Sequence, residues 1–153
     1  MKSNSIPVRP MTEEDAEGVA ALSTQLGYPS TAEQTLRRFR AIGDAPDARV
    51  WVAETPDGAI VGWIHLFGNR LLESDPDVEI GGLVVHEAVR GRGVGRALVD
   101  AAEGWARERG YSVVSVRSNV IRREAHEFYK GLGYEPTKSQ FKFRKKLAPA
   151  DGS

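Results

Sequence analysis

A chain of 153 residues suits one domain with a single core of useful size, and 41% hydrophobic with 27% charged residues fits neither a disordered chain nor a membrane protein. The formal charge is zero yet uneven: residues 1–76 hold 7 Lys+Arg against 11 Asp+Glu, and residues 77–153 hold 14 against 10, so a half suited to cations precedes a half suited to anions. Cysteine is absent, which excludes disulfides, thiolate metal ligands and a cysteine acyl carrier; the start lacks an apolar leader and no eighteen-residue apolar run occurs, so a cytoplasmic protein is expected.

Ser5 to Arg9 predicts a short strand ended by Pro10, and Thr12 then offers an N-cap to a helix carrying Ala16, Val19, Leu22 and Leu26 and closed by Gly27. Ser30-Thr-Ala-Glu33 has the form of a capping box for a second helix with Leu36 and Phe39 on one side, ending near Gly43. Val50–Glu54, a Pro56-Asp57-Gly58 turn and Ala59–Phe67 predict a hairpin, with Val61, Trp63, His65 and Phe67 on one face of its second strand. Asn69 to Pro76 is expected as a polar loop, followed by a strand from Asp77 to Val85. Within that strand Gly81-Gly82 suggests a bulge, or a place where another molecule nears the backbone. After Val85 comes Arg90-Gly-Arg-Gly-Val-Gly-Arg96, then a helix with Val94, Ala97, Leu98, Ala101, Ala102 and Trp105 on one side, ending at Gly110. A strand from Ser112 to Arg117 and a helix from Arg123 to Lys130, stopped at Gly131-Leu-Gly133, come next. Tyr134 and Phe141 to Leu147 are expected to finish as strands, and residues 149–153 as a disordered tail after one domain of residues 1–148. The implied class is α/β, a mixed sheet with helices on both faces.

Glycines at 91, 93 and 95 let the backbone turn sharply at a helix start, where unpartnered amides and the helix dipole favour a phosphate, and three arginines add charge. The dinucleotide fingerprint fails because Arg96 stands where its third glycine belongs, and the ATP loop fails because Arg96-Ala97-Leu98 stands where Gly, Lys and Ser or Thr belong after a four-residue gap. Arg90-Gly-Arg-Gly-Val-Gly95 instead resembles the Arg/Gln-x-x-Gly-x-Gly/Ala loop of the GNAT superfamily of N-acetyltransferases, and Asn119, Ala125, Tyr129 and Gly133-Tyr134 resemble its second signature. The element order is similar too. The resemblance implies a mixed, mostly antiparallel sheet of about six to seven strands, acetyl-coenzyme A as cosubstrate, and a possible homodimer. It implies pyrophosphate binding by Arg90, Gly91, Arg92, Gly93, Val94, Gly95 and Arg96, pairing of the pantetheine arm with Leu83, Val84 and Val85, and further contacts from Asn119 and from Arg122 or Arg123.

Acetyl transfer to an amine needs a base, since an alkylamine has a pKa of about 10, and an acid for the departing thiolate. Glu79, on the strand leading into the loop, is the candidate base, read as sharing a face with Gly81, Leu83 and Val85. The resemblance points the same way and makes Tyr129 the candidate acid. A backbone N–H at Val85 is suited to the carbonyl oxygen as it gains charge. No metal is required, and His65, His86 and His126 lack ligand spacing.

Direct attack in a ternary complex is therefore expected. Tyr28, Trp63, His65 and Glu73, with Phe67, Asp75 and Asp77, belong to segments that the resemblance places on the acceptor side. The likeness of Asn119 to Tyr129 lies with members acting on small amines, while peptide amines and a non-catalytic acyl-coenzyme A module stay open. Nucleic-acid binding through Lys138–Lys146 is disfavoured, because that alternation also fits an edge strand kept soluble by lysines.

Overall fold

In the computed structural model, which describes residues 6–43, 45–117 and 123–150, the chain divides into two compact units, Met1–Arg117 and Ser118–Ser153. The first carries one open sheet whose strands lie side by side in chain order: β1 (Val8–Pro10), β2 (Ala48–Glu54), β3 (Ile60–Leu71), β4 (Ser74–Val85) and β5 (Val114–Val116). The first three joints are antiparallel and β4 pairs β5 in parallel, so the sheet is mixed and mostly antiparallel as expected. Five strands stand among the described residues rather than six or seven.

Two helices, α1 (Ala16–Gln25) and α2 (Ala32–Gly43), come between β1 and β2, and α3 (Val94–Glu108) comes between β4 and β5. They take opposite faces, as the two-residue period of β3 shows. The Trp63 indole N–H donates to Ser23 Oγ of α1 at 3.0 Å, which places Trp63, His65 and Phe67 on the α1 side, while Val61, expected on the same face, is the extra residue of a bulge against β2. A Cβ on Gly62 would lie 3.1 Å from both Leu98 and Val94, so Gly62, Ile64 and Leu66 face α3. Ile64, Leu66 and Leu98 are fully buried, each contributing about 1.5–3 kcal/mol of apolar burial. On the other face Val50 and Val52 pack with Met11, Ala16 and Val19, against which Leu36, Phe39 and Trp63 also lie. Arg9 ties β1 to the start of α1 by donating twice to buried Asp15, at 2.8 Å each, while its Nε reaches Glu54 at 3.1 Å.

Several boundaries differ from the sequence reading. Thr12 opens a single 3₁₀ turn, Glu13–Asp15, before α1 begins. The box that starts α2 is Thr31 with Gln34, each backbone N–H bonded to the other's side chain at 3.0 Å, one residue later than Ser30 with Glu33. Asn69 to Pro76, expected as a loop, is mostly strand: Asn69 pairs with Asp77 and Leu71 with Ser74, leaving Leu72 and Glu73 as the tip. Pro76 is tolerated because β5 reaches β4 only from Val78, and above that point β4 is an edge.

The second unit holds α4 (Arg123–Gly131), closed by bonds from the Gly133 N–H to the Lys130 carbonyl and the Tyr134 N–H to the Tyr129 carbonyl, at 3.0 Å each. The strands expected at Tyr134 and at Phe141–Leu147 are not formed. Residues 134–149 carry neither helix nor strand, and Phe141 and Phe143 are about nine-tenths exposed. A strand exists only through a hydrogen-bonded neighbour, which alternation of side chains cannot supply by itself. No helix among the described residues is long and apolar enough to cross a membrane.

Candidate active site

The site is organised by one irregularity in β4. His65 pairs with Gly82 and Leu66 with Ile80, which leaves Gly81 as an extra residue, so the Gly81-Gly82 pair is a bulge as its composition suggested. A side chain is crowded at both: a Cβ on Gly81 would meet His65 at 3.0 Å, and one on Gly82 would meet the Trp63 ring at 2.8 Å, so the rings would have to shift.

The extra residue inverts the pattern beyond it. Glu79 lies opposite Phe67 and so shares the α1 face, whereas Leu83 pairs with Ile64 and Val85 with Gly62, both on the α3 face. Glu79 therefore does not share a face with Leu83 and Val85 as an uninterrupted two-residue period implies. The hydrogen-bonding edges exchange as well. Before the bulge the Val78 N–H donates to the Val113 carbonyl beside β5 (3.0 Å); after it the His86 N–H donates to the Val61 carbonyl of β3 (2.8 Å). By alternation the amides of Leu83 and Val85 point away from β3. On that side the parallel pairing with β5 ends at Ile80 with Val116, so β4 beyond Ile80 offers an unpaired backbone edge among the described residues.

Glu79 sits just before this opening and is 8% exposed. Ser115 is its partner on β5, and Arg117 forms an ion pair with it, Nε to Oε2 at 3.2 Å. The sequence reading did not single out Arg117, because a strand-end arginine carries no motif; only the parallel register brings it to Glu79. Along the same face run Phe67, His65 and Trp63. The His65 and Phe67 rings lie 5.6 Å apart, and burial pushes the imidazole below its ordinary pKa, which favours the neutral form. Trp63 is held by Ser23, whose hydroxyl in turn donates to the Val19 carbonyl at 2.8 Å.

Past Val85 the chain makes a 3₁₀ turn, Glu87–Val89, capped by His86 Nδ1, which accepts from the Ala88 N–H at 3.0 Å. Gly91 and Gly93 both have φ of +82°, a region that L side chains avoid, and a Cβ at either would meet nothing within 4 Å. The first bond of α3 runs from the Ala97 N–H to the Gly93 carbonyl at 2.9 Å, so the amides of Val94, Gly95 and Arg96 stand free of the helix ladder. Gly95 already belongs to the first helical turn. No acidic residue occupies that turn, and Arg90, Arg92 and Arg96 are exposed with no side-chain hydrogen bond or ion pair among the described residues. Free amides, a positive helix end and three arginines fit a diphosphate.

The other predicted residues belong to separate elements. Tyr28, 45% exposed, follows α1 with its N–H on the Ser23 carbonyl (2.8 Å). Glu73 stands at the tip of the β3–β4 ribbon, six residues from Glu79 and hence about 20 Å along the strand, so the two do not meet. In the second unit, Tyr129 of α4 is half-buried, its ring 5.1 Å from Phe128 and 5.9 Å from Tyr134 between centroids. Asn119 and Arg122 lie outside the described residues.

Comparison with known proteins identifies the family. Residues 17–134 match the model of the Acetyltransferase (GNAT) family. The chain is 31% identical to an aminoglycoside N(6')-acetyltransferase type 1 of Stenotrophomonas maltophilia, over 98% of this chain and 99% of that one. It is 34% identical to an aminoalkylphosphonate N-acetyltransferase of Salmonella typhimurium, over 92% and 90%. Among solved structures, the aminoglycoside N-acetyltransferase AAC(6')-Iy in complex with CoA superposes with a TM-score of 0.82 over 95% of this chain and 98% of that one, at 21% identity, which speaks for the fold. The chain belongs to the GNAT acetyltransferase family and is an N-acetyltransferase whose acetyl donor is acetyl-coenzyme A.

Proposed function

We propose that the protein acetylates the primary amine of a small molecule by direct attack within a ternary complex, with Glu79 as the base and Tyr129 as the acid. The observation that carries this reading is the unpaired edge of β4, which runs from the buried Glu79 past Leu83 and Val85 to the free amides of α3. An extended, uncharged pantetheine arm can pair along such an edge as an added strand, with its diphosphate at Gly91 to Arg96. The thioester then comes to rest near the bulge. Of the amides that point away from β3, that of Leu83 is next to the bulge and suits the carbonyl oxygen as it gains charge, Val85 standing about 7 Å further along the strand; a fixed donor of this kind contributes about 3–4 kcal/mol to a transition state.

The acceptor arrives as an ammonium ion, and Glu79 takes its proton so that the nitrogen lone pair can attack the thioester carbon. The C–N bond forms, the C–S bond breaks, the Tyr129 hydroxyl protonates the departing thiolate, and the second proton that the nitrogen sheds on becoming an amide restores the phenol. Both full-length relatives described above are named for acetylation of amines on small molecules, which favours that acceptor class here. Turnover is tested by thiol release from acetyl-coenzyme A with a panel of small amines. Glu79→Gln is expected to lower kcat by about a hundredfold or more, and Tyr129→Phe by about tenfold or more, each with acetyl-coenzyme A still bound in calorimetry. Unchanged kcat in either variant removes that residue from the chemistry, and an acetylated protein intermediate in mass spectra would contradict direct attack.

A further inference from the structure

Arg117 directly follows Val116, the last β5 residue paired to β4, and its guanidinium meets Glu79 at the open end of the two strands. The two partners live in different surroundings: the Glu79 side chain is 11% exposed and that of Arg117 is 68% exposed. A guanidinium presents five N–H groups in a rigid fork, and the contact with Glu79 is made through the Nε edge. Nothing else among the described residues engages the rest of the fork, which is exposed beside Glu79.

The acyl donor does not call for this charge. Its phosphates match the arginines and amides of Gly91 to Arg96, and the β4 edge between carries Leu83, Val84 and Val85, suited to an uncharged arm. An anion drawn to the open side of the Arg117 fork would then come with the acceptor rather than the donor. We infer that the acceptor is an amine bearing its own oxyanion, a phosphonate or carboxylate a few carbon atoms from the nitrogen: the ammonium goes to Glu79 and the oxyanion to the Arg117 fork. The inference rests on the reading of Glu79 as the base and extends it to the substrate. One ion pair within the protein is exchanged for two with the substrate, so the charge gathered at the site stays balanced. A polycation would instead set further positive charge against the guanidinium at close range, which is unfavourable.

The test is kcat/KM for four acceptors, 2-aminoethylphosphonate, β-alanine, propylamine and kanamycin, in the wild type, Arg117→Gln and Arg117→Lys. The quantity read is each oxyanion-bearing amine's kcat/KM divided by that of propylamine, because any loss transmitted through Glu79 is common to both and cancels. The wild type is expected to prefer an oxyanion-bearing amine, and Arg117→Gln to lower the ratio about ten- to a hundredfold, the span of a charged hydrogen bond, chiefly through KM. Arg117→Lys should retain part of it, and comparison of the first two acceptors tells phosphonate from carboxylate. A ratio unchanged in Arg117→Gln, or a wild type that prefers propylamine or kanamycin, overturns this inference and leaves the transfer reading standing. A wild type that acetylates none of the four overturns both.

Discussion

His65 sits where burial works against charge. It is partly buried against Phe67 and beside Gly81, and its imidazole pKa is lowered from 6.5 because the protonated form loses its hydration. In the proposed site, a neutral imidazole on the Glu79 face adds no cation to compete with an ammonium ion for the carboxylate. The shift also predicts how stability depends on pH. In the unfolded chain His65 regains its ordinary pKa, so between that value and the lower folded one the unfolded state binds more protons, and stability falls as pH drops below about 6.5. Asp15 and Asp47 are shifted below the usual carboxylate range by Arg9 and Arg70, so their contributions are lost only at much lower pH. Urea unfolding at pH 7.5 and 5.5 should show a decline for the wild type that His65→Gln largely abolishes. Equal declines in both proteins would mean that His65 is as well solvated in the folded state as in the unfolded one.

At the scale of elements, the proposed donor site makes the first turn of α3 serve both folding and binding. Gly93 caps the helix at φ +82°, and alanine there costs about 1–2 kcal/mol, because a Cβ in this region crowds the backbone. The same strain tilts the amides of Val94 to Arg96, so Gly93→Ala should both lower the urea midpoint and weaken acetyl-coenzyme A binding in calorimetry. Gly104, in the middle of the same helix, has open space around its Cβ position, and Gly104→Ala should raise stability by about 0.5–1 kcal/mol with binding unchanged. If both substitutions move binding equally, cap geometry is not what prepares the amides. The loop glycines and the order of the elements as far as α4 were legible in the sequence because turns and amphipathic periods are local. The inversion beyond Gly81 was not: the glycine pair announced a bulge, but the number of residues it adds is set by pairing with β3, and that decides which face Leu83 and Val85 occupy. Arg117 was hidden for the same reason, since its meeting with Glu79 depends on a parallel register between strands more than thirty residues apart.

At the scale of the whole molecule, the charge imbalance visible in the sequence finds part of its place at the start of α3. The basic half of the chain supplies Arg90, Arg92 and Arg96 there, exposed and free of acidic partners among the described residues, while several arginines of the acidic half are spent on internal pairs, Arg9 with Asp15 and Glu54, Arg40 with Glu13, and Arg70 with Asp47. Cations that hold no protein partner contribute little to folding and can act on a ligand from a distance. Their field is screened, with a Debye length of about 10 Å at 0.1 M salt and about 3 Å at 1 M. Raising salt from 0.05 to 1 M should therefore weaken acetyl-coenzyme A binding severalfold, with little change in Tm. The triple variant Arg90→Gln, Arg92→Gln, Arg96→Gln should bind the donor more weakly at low salt, show a nearly flat salt dependence, and unfold at the wild-type temperature. Dephospho-coenzyme A, which keeps the diphosphate but lacks the 3'-phosphate, separates the sources of the attraction. If the loop arginines act on the diphosphate, the salt response of this ligand should fall in the triple variant much as that of the full donor does; if only the full donor responds, the arginines serve the 3'-phosphate, and the free amides of α3 hold the diphosphate without them.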